Sequence, residues 1–335
     1  MKLRIGLIGA GGFGLIHLTG YSINSNCQLI SVSSRTIEHA KEAAEKFNIP
    51  HFYGGVDSWK KMLEKEDLDI VSICTPNYLH APMIIKALKK NLHILCEKPI
   101  CISRDELIEV KNTLANKNII FFTSFQKRYN PQFKLIKKIL DHKVLGDITL
   151  VRYFFSHYGP YKSWNALSEE KWFFDAEKAG GGVLLDLGVH CIDILRFLID
   201  DYKEVEGINY NTSCIDMIHE DNCNVIFRFQ NNTLGVISVS WCNQPSEIIE
   251  IFGTKGSIKI DLHSPKKIDI CPLKLKIVPS IKKILNYKPP HNAAQNRLID
   301  HFVNCILNSK QESPDFEDGK RAVEFVLDAY SFKEK

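Results

Sequence analysis

A glycine-rich run near the start of the chain has the spacing of a dinucleotide-binding loop. Gly9, Ala10, Gly11, Gly12, Phe13 and Gly14 follow a short apolar run and precede a helix-like stretch. In that context Gly9 permits a tight turn, Gly11 lets the backbone approach a pyrophosphate, and Gly14 lets the helix pack against the strand. The free amides at the start of the helix then face the anion. These residues are therefore expected to bind a dinucleotide.

The residues about 20 positions after this loop choose between the two nicotinamide dinucleotides. Ser34, Arg35 and Thr36 stand there, at the end of the second predicted strand. An acidic residue would hold the ribose 2′-hydroxyl of NAD, whereas a hydroxyl and a guanidinium suit a 2′-phosphate. NADP(H) is therefore expected to be favoured over NAD(H). Two alternatives stay open: Arg35 is a solvated residue at a helix start, or it stacks on adenine in a pocket that takes either cofactor.

Two further polar groups follow predicted strands. Both are short motifs: Thr75, Pro76 and Asn77 with His80 one turn later, and Glu97, Lys98 and Pro99. Taken singly they are weak signals, because a Glu-Lys-Pro triplet is usually a solvated strand exit. Their position gives them weight, since parallel sheets bind ligands beyond the carboxyl ends of their strands.

A third polar group lies in an almost wholly apolar stretch. A helix is predicted over residues 180–199, opened by three glycines, and it carries Asp186 and His190 four residues apart. That spacing places both side chains on one face. A lone histidine in such a helix is more often a core residue with its hydrogen bonds satisfied. The pair gains functional weight only in combination with the other motifs.

The elements that must position these groups divide into two sets. Up to residue 124, strand-like runs alternate with helix-like stretches, which is typical of a parallel sheet covered by helices. Strands are expected at residues 3–8, 28–33, 70–74, 93–96 and 119–123, and helices at 37–47, 83–90 and 104–116. We therefore expect residues 1–124 to form an α/β, doubly wound Rossmann domain.

Residues 125–335 have a different pattern of apolar and polar residues, and we expect a second, α+β domain there. One amphipathic helix at 132–142 precedes alternating runs at 148–156, 224–229, 235–241 and 247–252, and a closing helix is expected at 316–332. Strands that follow one another without intervening helices pair antiparallel.

Length and composition limit the class of protein. A chain of 335 residues is longer than one core usually supports. With 44% apolar and 24% charged residues, a net charge of +4 and no run of about 20 apolar residues, neither a membrane span nor a nucleic-acid partner is expected. The ten cysteines form no C-x-x-C pair and are interpreted as reduced, buried thiols, and the N-terminus as a strand. A cytoplasmic location and no metal site are therefore expected.

Taken together, the motifs resemble those of the glucose-fructose oxidoreductase, inositol dehydrogenase and rhizopine-catabolism family (GFO/IDH/MocA). The resemblance runs nearly end to end. It rests on the motifs above in their expected order, with Arg128-Tyr129-Asn130-Pro131, Asp193, Phe252-Gly253-Thr254-Lys255-Gly256 and Glu317-Asp318-Gly319. It implies a Rossmann domain, then a domain whose open, mainly antiparallel sheet serves as an oligomer interface. Sugars, inositols or related polyols are the implied substrates.

Carried over by this resemblance, the catalytic residues are Lys98, Asp186 and His190. Oxidation of a carbinol carbon needs a base for the hydroxyl proton and a cation for the developing alkoxide. Histidine suits the first task and lysine the second, while Asp186 would hold the geometry. Which of His190 and Lys98 is the immediate proton partner stays open. The three are expected to meet at a cleft between the domains.

The remaining site residues are expected to contact the cofactor or the substrate. Cofactor contacts are expected from Gly9, Gly11, Gly12, Phe13, Gly14, Ser34, Arg35, Thr36, Thr75, Pro76, Asn77, His80, Glu97, Lys98 and Gln126. Substrate contacts are expected from Lys98, Arg128, Tyr129, Tyr158, Trp172, Asp186 and His190, with Gln126, Trp164 and Asn165 as further candidates. Ordinary packing is an equal alternative for seven of these side chains: Gln126, Arg128, Tyr129, Tyr158, Trp164, Asn165 and Trp172. The resemblance also implies a cis bond before Pro99, whereas Asp193 could pair with Arg196 or cap a loop.

Two other functions compete with a dehydrogenase. One is a dinucleotide-binding sensor or co-repressor, which typically lacks the three catalytic residues. The other is a glycosidase that uses a tightly held cofactor for transient oxidation. The expected partners are a small-molecule substrate and further copies of the chain, as a dimer or tetramer.

Overall fold

The computed structural model describes residues 2–162, 172–212, 219–262, 268–271 and 293–332. The chain divides into two compact units. The first unit contains residues 1–126 and a later segment, and the second begins at Lys127.

The first unit is built on a six-stranded sheet of order β3-β2-β1-β4-β5-β6, in which every neighbouring pair is parallel. The strands are β1 (Leu3–Ile8), β2 (Cys27–Ser34), β3 (His51–Gly54), β4 (Ile70–Ile73), β5 (His93–Cys96) and β6 (Phe121–Thr123). Five were predicted, because buried parallel strands are continuous apolar runs, and β4 is buried at every residue. The edge strand β3 was missed because it is largely exposed and has no such run. The expected Rossmann sheet is confirmed.

Five helices connect these strands. They are α1 (Gly12–Ile23), α2 (Ile37–Phe47), α3 (Ser58–Lys65), α4 (His80–Lys89) and α5 (Arg104–Leu114). Helix α4 starts three residues earlier than predicted and follows a 3-10 turn over Asn77–Leu79. His80 therefore lies at the first position of the helix instead of in the loop before it.

The second unit contains a seven-stranded sheet of order β13-β12-β11-β7-β10-β9-β8. The strands are β7 (Ile148–Ser156), β8 (Tyr202–Asn211), β9 (Asn222–Phe229), β10 (Leu234–Ser240), β11 (Ser246–Gly253), β12 (Gly256–Asp261) and β13 (Ile268–Cys271). The expected mainly antiparallel sheet is confirmed, with one exception, because β7 and β10 pair in parallel. These two strands are separated by helices along the chain, so they are not hairpin neighbours.

Alternation along these strands divides the sheet into two faces. Val225, Phe227, Ile237, Val239 and Ile251 are buried on one face. The helices of this unit are α6 (Pro131–Asp141), α7 (Gly159–Lys162), α8 (Ala176–Ala179) and α9 (Val189–Leu198). Helix α6 begins with Asn130 as its cap, whose side chain accepts a hydrogen bond from the backbone of Gln132.

Helices α10 (Ala293–Leu307) and α11 (Phe316–Phe332) complete the described chain. Residues 293–320 cluster with the first unit and residues 321–332 with the second. This differs from the expected division into 1–124 and 125–335. The reason is that β6 is an edge strand, and residues of the segment 293–320 form hydrogen bonds with its backbone. Gln311 accepts from the Phe121 amide at 2.9 Å, and the Thr123 amide donates to the Pro314 carbonyl at 3.0 Å.

The nine described cysteines are free thiols, and six of them are buried. No helix in the described ranges has the length and apolar character that a membrane crossing requires.

Candidate active site

The glycine loop between β1 and α1 has the shape of a phosphate cradle. Gly9 has φ +98°, and a Cβ there would lie 2.4 Å from the Cys74 carbonyl oxygen. A Cβ on Gly14 would lie 1.9 Å from the Gly9 carbonyl oxygen, so both positions require glycine. A Cβ on Gly11 or Gly12 would meet nothing within 4 Å. The loop is therefore packed against backbone at Gly9 and Gly14 and faces open space at Gly11 and Gly12, which fits a bound pyrophosphate. Phe13, beside it, is exposed.

The end of β2 presents Ser34, Arg35 and Thr36. The Ser34 carbonyl accepts from the Gly55 amide and from the Ser58 hydroxyl, both at 3.1 Å, which fixes the backbone here. Arg35 is exposed. The buried Thr36 hydroxyl has no hydrogen-bond partner among the described residues. These side chains fit the ribose end of a dinucleotide, and the residues 33–36 include no carboxylate.

Two motifs follow β4 and β5, as predicted. Thr75 and Pro76 are half-buried and Asn77 is buried. His80 is fully buried, and its two ring nitrogens each lie 2.7 Å from a backbone carbonyl oxygen, Nδ1 from Pro99 and Nε2 from Thr75. Its nitrogens thus lie against backbone carbonyls, and the cofactor contact expected of His80 stays a prediction.

Glu97 and Lys98 come directly after β5. Lys98 is half-buried, and the Lys98–Pro99 peptide bond is cis, as expected. Glu97 is buried, and its Oε1 lies 2.9 Å from Nε2 of His17. Burial acts to raise the pKa of Glu97, but the interactions with His17, Ser124 and Lys98 together outweigh it and hold that pKa below its usual value.

Gln126 and Arg128 lie in a 3-10 turn, Gln126–Tyr129, that follows β6. The buried Oε1 of Gln126 has no hydrogen-bond partner within the described ranges, so it suits a ligand contact. Arg128 lies in an internal ion pair. Its guanidinium binds Asp193 through Nε at 3.0 Å and Nη2 at 2.6 Å, with both side chains buried, because a buried charge must be compensated. The expected substrate contact of Arg128 stays a prediction.

Asp193 was left open between Arg196 and a loop, and the structure shows a third partner. It pairs with Arg128, while Arg196 binds Asp201 at 2.8 Å. Tyr129 is buried, with the Lys134 ammonium 5.2 Å from its ring centre.

The helix expected over residues 180–199 starts later. Residues 180–182 are not helical; a helical residue at Val183 leads into a π turn, Leu184–Gly188, and then α9. A Cβ on Gly182 would lie 2.0 Å from the Glu220 carbonyl oxygen, so this glycine permits a close backbone approach. Single π turns are frequent at functional sites.

Asp186 lies in the π turn and His190 in the first turn of α9, both buried. The fully buried Trp241 donates its indole N–H to Oδ2 of Asp186 at 3.1 Å. This bond fixes the orientation of the carboxylate. The prediction that Asp186 and His190 share a face assumed an α-helix throughout, and it stays a prediction.

The other substrate candidates lie in the segment before these glycines. The ring of Trp172 is buried and stacks on Phe173 with 3.6 Å between centroids. Tyr158 precedes α7, and the Lys162 ammonium lies 4.8 Å from its ring centre. Trp164 and Asn165 lie outside the described residues.

Sequence reasoning missed several buried polar residues. Lys127 binds Glu247 at 2.6 Å, and the Tyr153 hydroxyl also donates to Glu247. Glu247 lies on the same face of β11 as the buried Ile249 and Ile251. A charge at an inward position of an alternating strand was the signal that could have found it. His17 and Trp241 carried no comparable signal.

One group of side chains has donor types that suit a metal ion. His301, Cys305 and Glu312 place their ligand atoms within 4.8 Å of one another. However, Glu312 already binds His301 at 2.9 Å and the Lys310 ammonium at 2.5 Å. The adjacent ammonium opposes a second cation, so this group is explained as an ion-pair cluster.

Comparison with known proteins identifies the class. Residues 3–125 match the oxidoreductase family with an NAD-binding Rossmann fold, and residues 133–259 match the GFO/IDH/MocA C-terminal domain. These matches and the glycine loop define an NAD-binding oxidoreductase. The chain belongs to the GFO/IDH/MocA family, as its motifs predicted.

Individual relatives agree with this assignment. The chain is 25% identical over 292 residues to trans-1,2-dihydrobenzene-1,2-diol dehydrogenase of Xenopus tropicalis, covering 86% of this chain and 83% of the relative. It is 27% identical over 352 residues to glucose-6-phosphate 3-dehydrogenase of Bacillus subtilis (strain 168), covering 99% and 96%. The structure of a levoglucosan dehydrogenase in complex with NADH and levoglucosan superposes with a TM-score of 0.85 at 23% identity, covering 99% and 98%. This last likeness shows the fold.

Proposed function

We propose that the protein transfers a hydride between a nicotinamide cofactor and a carbinol or carbonyl carbon of a sugar, inositol or related polyol. The observation that carries the proposal is the position of Lys98. It comes just after β5, at the carboxyl ends of the parallel strands, where β1 ends in the glycine loop and β4 ends before Thr75. A relative named glucose-6-phosphate 3-dehydrogenase and a related structure that contains levoglucosan support the substrate class.

The bound nicotinamide supplies the hydride acceptor in oxidation and the hydride donor in reduction. During oxidation the substrate hydroxyl must lose a proton as its carbon loses the hydride. We assign acceptance of that proton to His190 and stabilisation of the developing alkoxide to the ammonium of Lys98. Asp186 orients the imidazole or the substrate, and the hydrogen bond from Trp241 keeps its carboxylate in place.

The proposal is tested by Lys98→Ala, Asp186→Asn and His190→Ala. Each is expected to lower kcat/KM by about 10² to 10⁴-fold, the typical contribution of an acid-base residue or an alkoxide-stabilising donor. The affinity for the cofactor, measured by fluorescence titration, should change little. Turnover is measured with the hexose, inositol or sugar phosphate that the unmutated enzyme oxidises fastest. Lys90→Ala and His142→Ala, at exposed positions, are matched controls that should leave turnover unchanged.

The pH dependence and the double variant separate the roles. If His190 is the base, the rate of oxidation by His190→Ala falls furthest below that of the unmutated enzyme at low pH, because hydroxide can replace the base only as the pH rises. If Lys98 and His190 act together, the double variant loses less than the product of the single losses. If Lys98→Ala and His190→Ala both retain most of the activity, with cofactor affinity unchanged, the proposed mechanism is contradicted and these residues serve core packing instead.

The same preparation distinguishes the competing functions. A sensor or co-repressor would bind the cofactor and turn over no member of the polyol panel. A cofactor-dependent glycosidase would keep its cofactor through dilution and dialysis. A dehydrogenase of the proposed kind exchanges its cofactor and reduces or oxidises it in proportion to product.

We further infer that Arg35 favours NADP(H) over NAD(H), and that copies of the chain associate through the second sheet as a dimer or tetramer. The exposed guanidinium at the end of β2 and the absence of an acidic residue at 33–36 support the first inference. The half-buried apolar side chains of the outer sheet face support the second. The cytoplasmic location also stays a prediction.

A further inference from the structure

Two buried histidines of the first unit lie on either side of the residues that carry Lys98. His17, on α1, has no exposed surface, and its Nδ1 lies 2.7 Å from the Ser72 hydroxyl while its Nε2 lies 2.9 Å from Glu97. Burial lowers the pKa of His80, the first residue of α4, so its neutral ring donates one N–H to the carbonyl of Pro99 or of Thr75, and both carbonyl oxygens lie 2.7 Å from a ring nitrogen. Neither ring has a part in the reaction proposed above.

The contact between His17 and Glu97 holds the residue before Lys98. A buried carboxylate is costly unless a donor compensates it, and the lowered pKa of Glu97 means that it stays ionised. Nε2 of His17 must therefore carry a proton and donate it towards Glu97. At the end of β6 the Gln295 amide donates to the Ser124 hydroxyl at 3.1 Å.

The contact between His80 and Pro99 holds the residue after Lys98. The other ring nitrogen of His80 lies against the Thr75 carbonyl, so the ring spans the exits of β4 and β5. Both contacts measure 2.7 Å, the neutral ring donates in one of them, and a ring with no exposed surface has no water to replace that hydrogen bond. The backbone on the two sides of Lys98 is thereby tied to two different helices.

Stability alone does not explain such an arrangement. Well-packed apolar residues usually stabilise a core as well as a buried ion pair does, because the pair must be desolvated. His17 also lies one turn beyond Gly14, so the helix that begins at the glycine loop reaches the residue beside Lys98. A single rigid element thus links the cofactor loop to the lysine.

We propose that His17 and His80 are positioning residues that hold Glu97 and Pro99, so that Lys98 between them has one backbone position relative to the glycine loop. The functional part of this inference rests on the proposed role of Lys98. A misplacement of about 1 Å can cost about 100-fold in rate, so small movements of this segment are expected to matter.

The test uses His17→Leu and His80→Leu, which keep much of the side-chain volume but remove the nitrogens. Hydrogen exchange of peptides covering residues 97–102, followed by mass spectrometry, should become at least about 10-fold faster in both, since the contacts that hold this segment are lost. kcat should fall by about 10 to 100-fold, while KM and the cofactor dissociation constant stay within about twofold. Glu97→Gln, which keeps an acceptor for His17 but not the charge, should give an intermediate exchange rate and kcat.

Leu18→Ala is the matched control. Leu18 is the next residue on α1, fully buried in an apolar cluster with Leu7 and Val32, and outside the polar network. This variant should lower the thermal midpoint without changing exchange at 97–102 or kcat. If the histidine variants affect exchange and kcat no more than Leu18→Ala does at an equal loss of stability, the positioning role is overturned.

The readouts also separate this inference from the proposed function. Faster exchange with an unchanged kcat would support the hold on the segment and would count against catalysis by Lys98. If the leucine variants do not fold, Glu97→Gln decides the outcome. Unchanged exchange at 97–102 in that variant would contradict the inference.

Discussion

Arg35 shows how one side chain can select a cofactor. The backbone at the end of β2 is fixed because the Ser34 carbonyl accepts hydrogen bonds from Gly55 and Ser58. The guanidinium that follows belongs to an exposed residue, so a 2′-phosphate in solvent can approach it. Arg128 is the opposite case, because its guanidinium is buried on Asp193. The two arginines therefore differ in their exposure to solvent and in their ion pairing.

Arg35→Ala is expected to weaken NADP(H) binding selectively. Loss of a charge-assisted hydrogen bond to phosphate costs about 1.5 to 3 kcal/mol, or about 10 to 150-fold in the dissociation constant. NAD(H) should bind as before. Titration of both cofactors against the unmutated protein, Arg35→Ala and the exposed control Lys41→Ala measures this. Equal affinity of the unmutated protein for both cofactors would defeat the prediction.

At the scale of elements, His93 links two neighbouring strands of the first sheet. It is the first residue of β5, and its Nδ1 accepts a hydrogen bond from the Ile120 amide at 2.9 Å, just before β6. Burial lowers the pKa of His93 below 6.5, against the opposing charge of Asp69. A protonated ring could not accept from Ile120, so the strand junction requires the neutral form.

We expect the first unit to lose stability as the pH falls below about 6.5, through His93. The unfolded chain binds this proton at a higher pH than the folded chain, so the contribution is present above the unfolded pKa and is lost on acidification. The thermal midpoint should fall less between about pH 7.5 and 5.5 in His93→Gln than in the unmutated protein. His142→Gln, at an exposed site, is the control. An identical pH dependence in all three proteins would contradict the prediction.

At the scale of the whole molecule, the second sheet has an outer face with apolar side chains in register. Leu234, Leu150 and Phe252 lie side by side on β10, β7 and β11. In the next row the exposed Ile226 lies beside Val236, and the row continues into ion pairs from Glu250 to Arg152 at 3.3 Å and to Lys259 at 3.0 Å. Interaction sites are often found where apolar side chains form a contiguous exposed surface.

We expect this outer face to join copies of the chain. A symmetric contact places the same patch of both subunits against each other. One charged substitution on the patch therefore buries a charge from each subunit in the interface. Ile226→Asp should therefore convert the oligomer to a monomer in light scattering at micromolar concentration. Ile108→Asp, at an exposed position on α5, is the matched control and should leave the mass unchanged. A monomeric unmutated protein would contradict the prediction.

The sequence by itself determined the features that depend on near neighbours along the chain. The glycine loop, the buried runs of β1, β4 and β5, and the alternation of β7, β9, β10 and β11 were all predicted. Steric limits at Gly9 and the period of two in a half-buried strand act over a few residues, so local order reveals them. The catalytic candidates were found through the order of their motifs, and their roles stay predictions.

Only the tertiary structure decided which distant groups meet. Arg128 pairs with a residue 65 positions away, and His17 bonds Glu97 across 80 positions. Residues 293–320 join the first unit because Gln311 and Pro314 pair with the edge of β6. A buried charge or an unpaired strand edge creates a demand for a partner, but the chain's path through space determines which residue meets it.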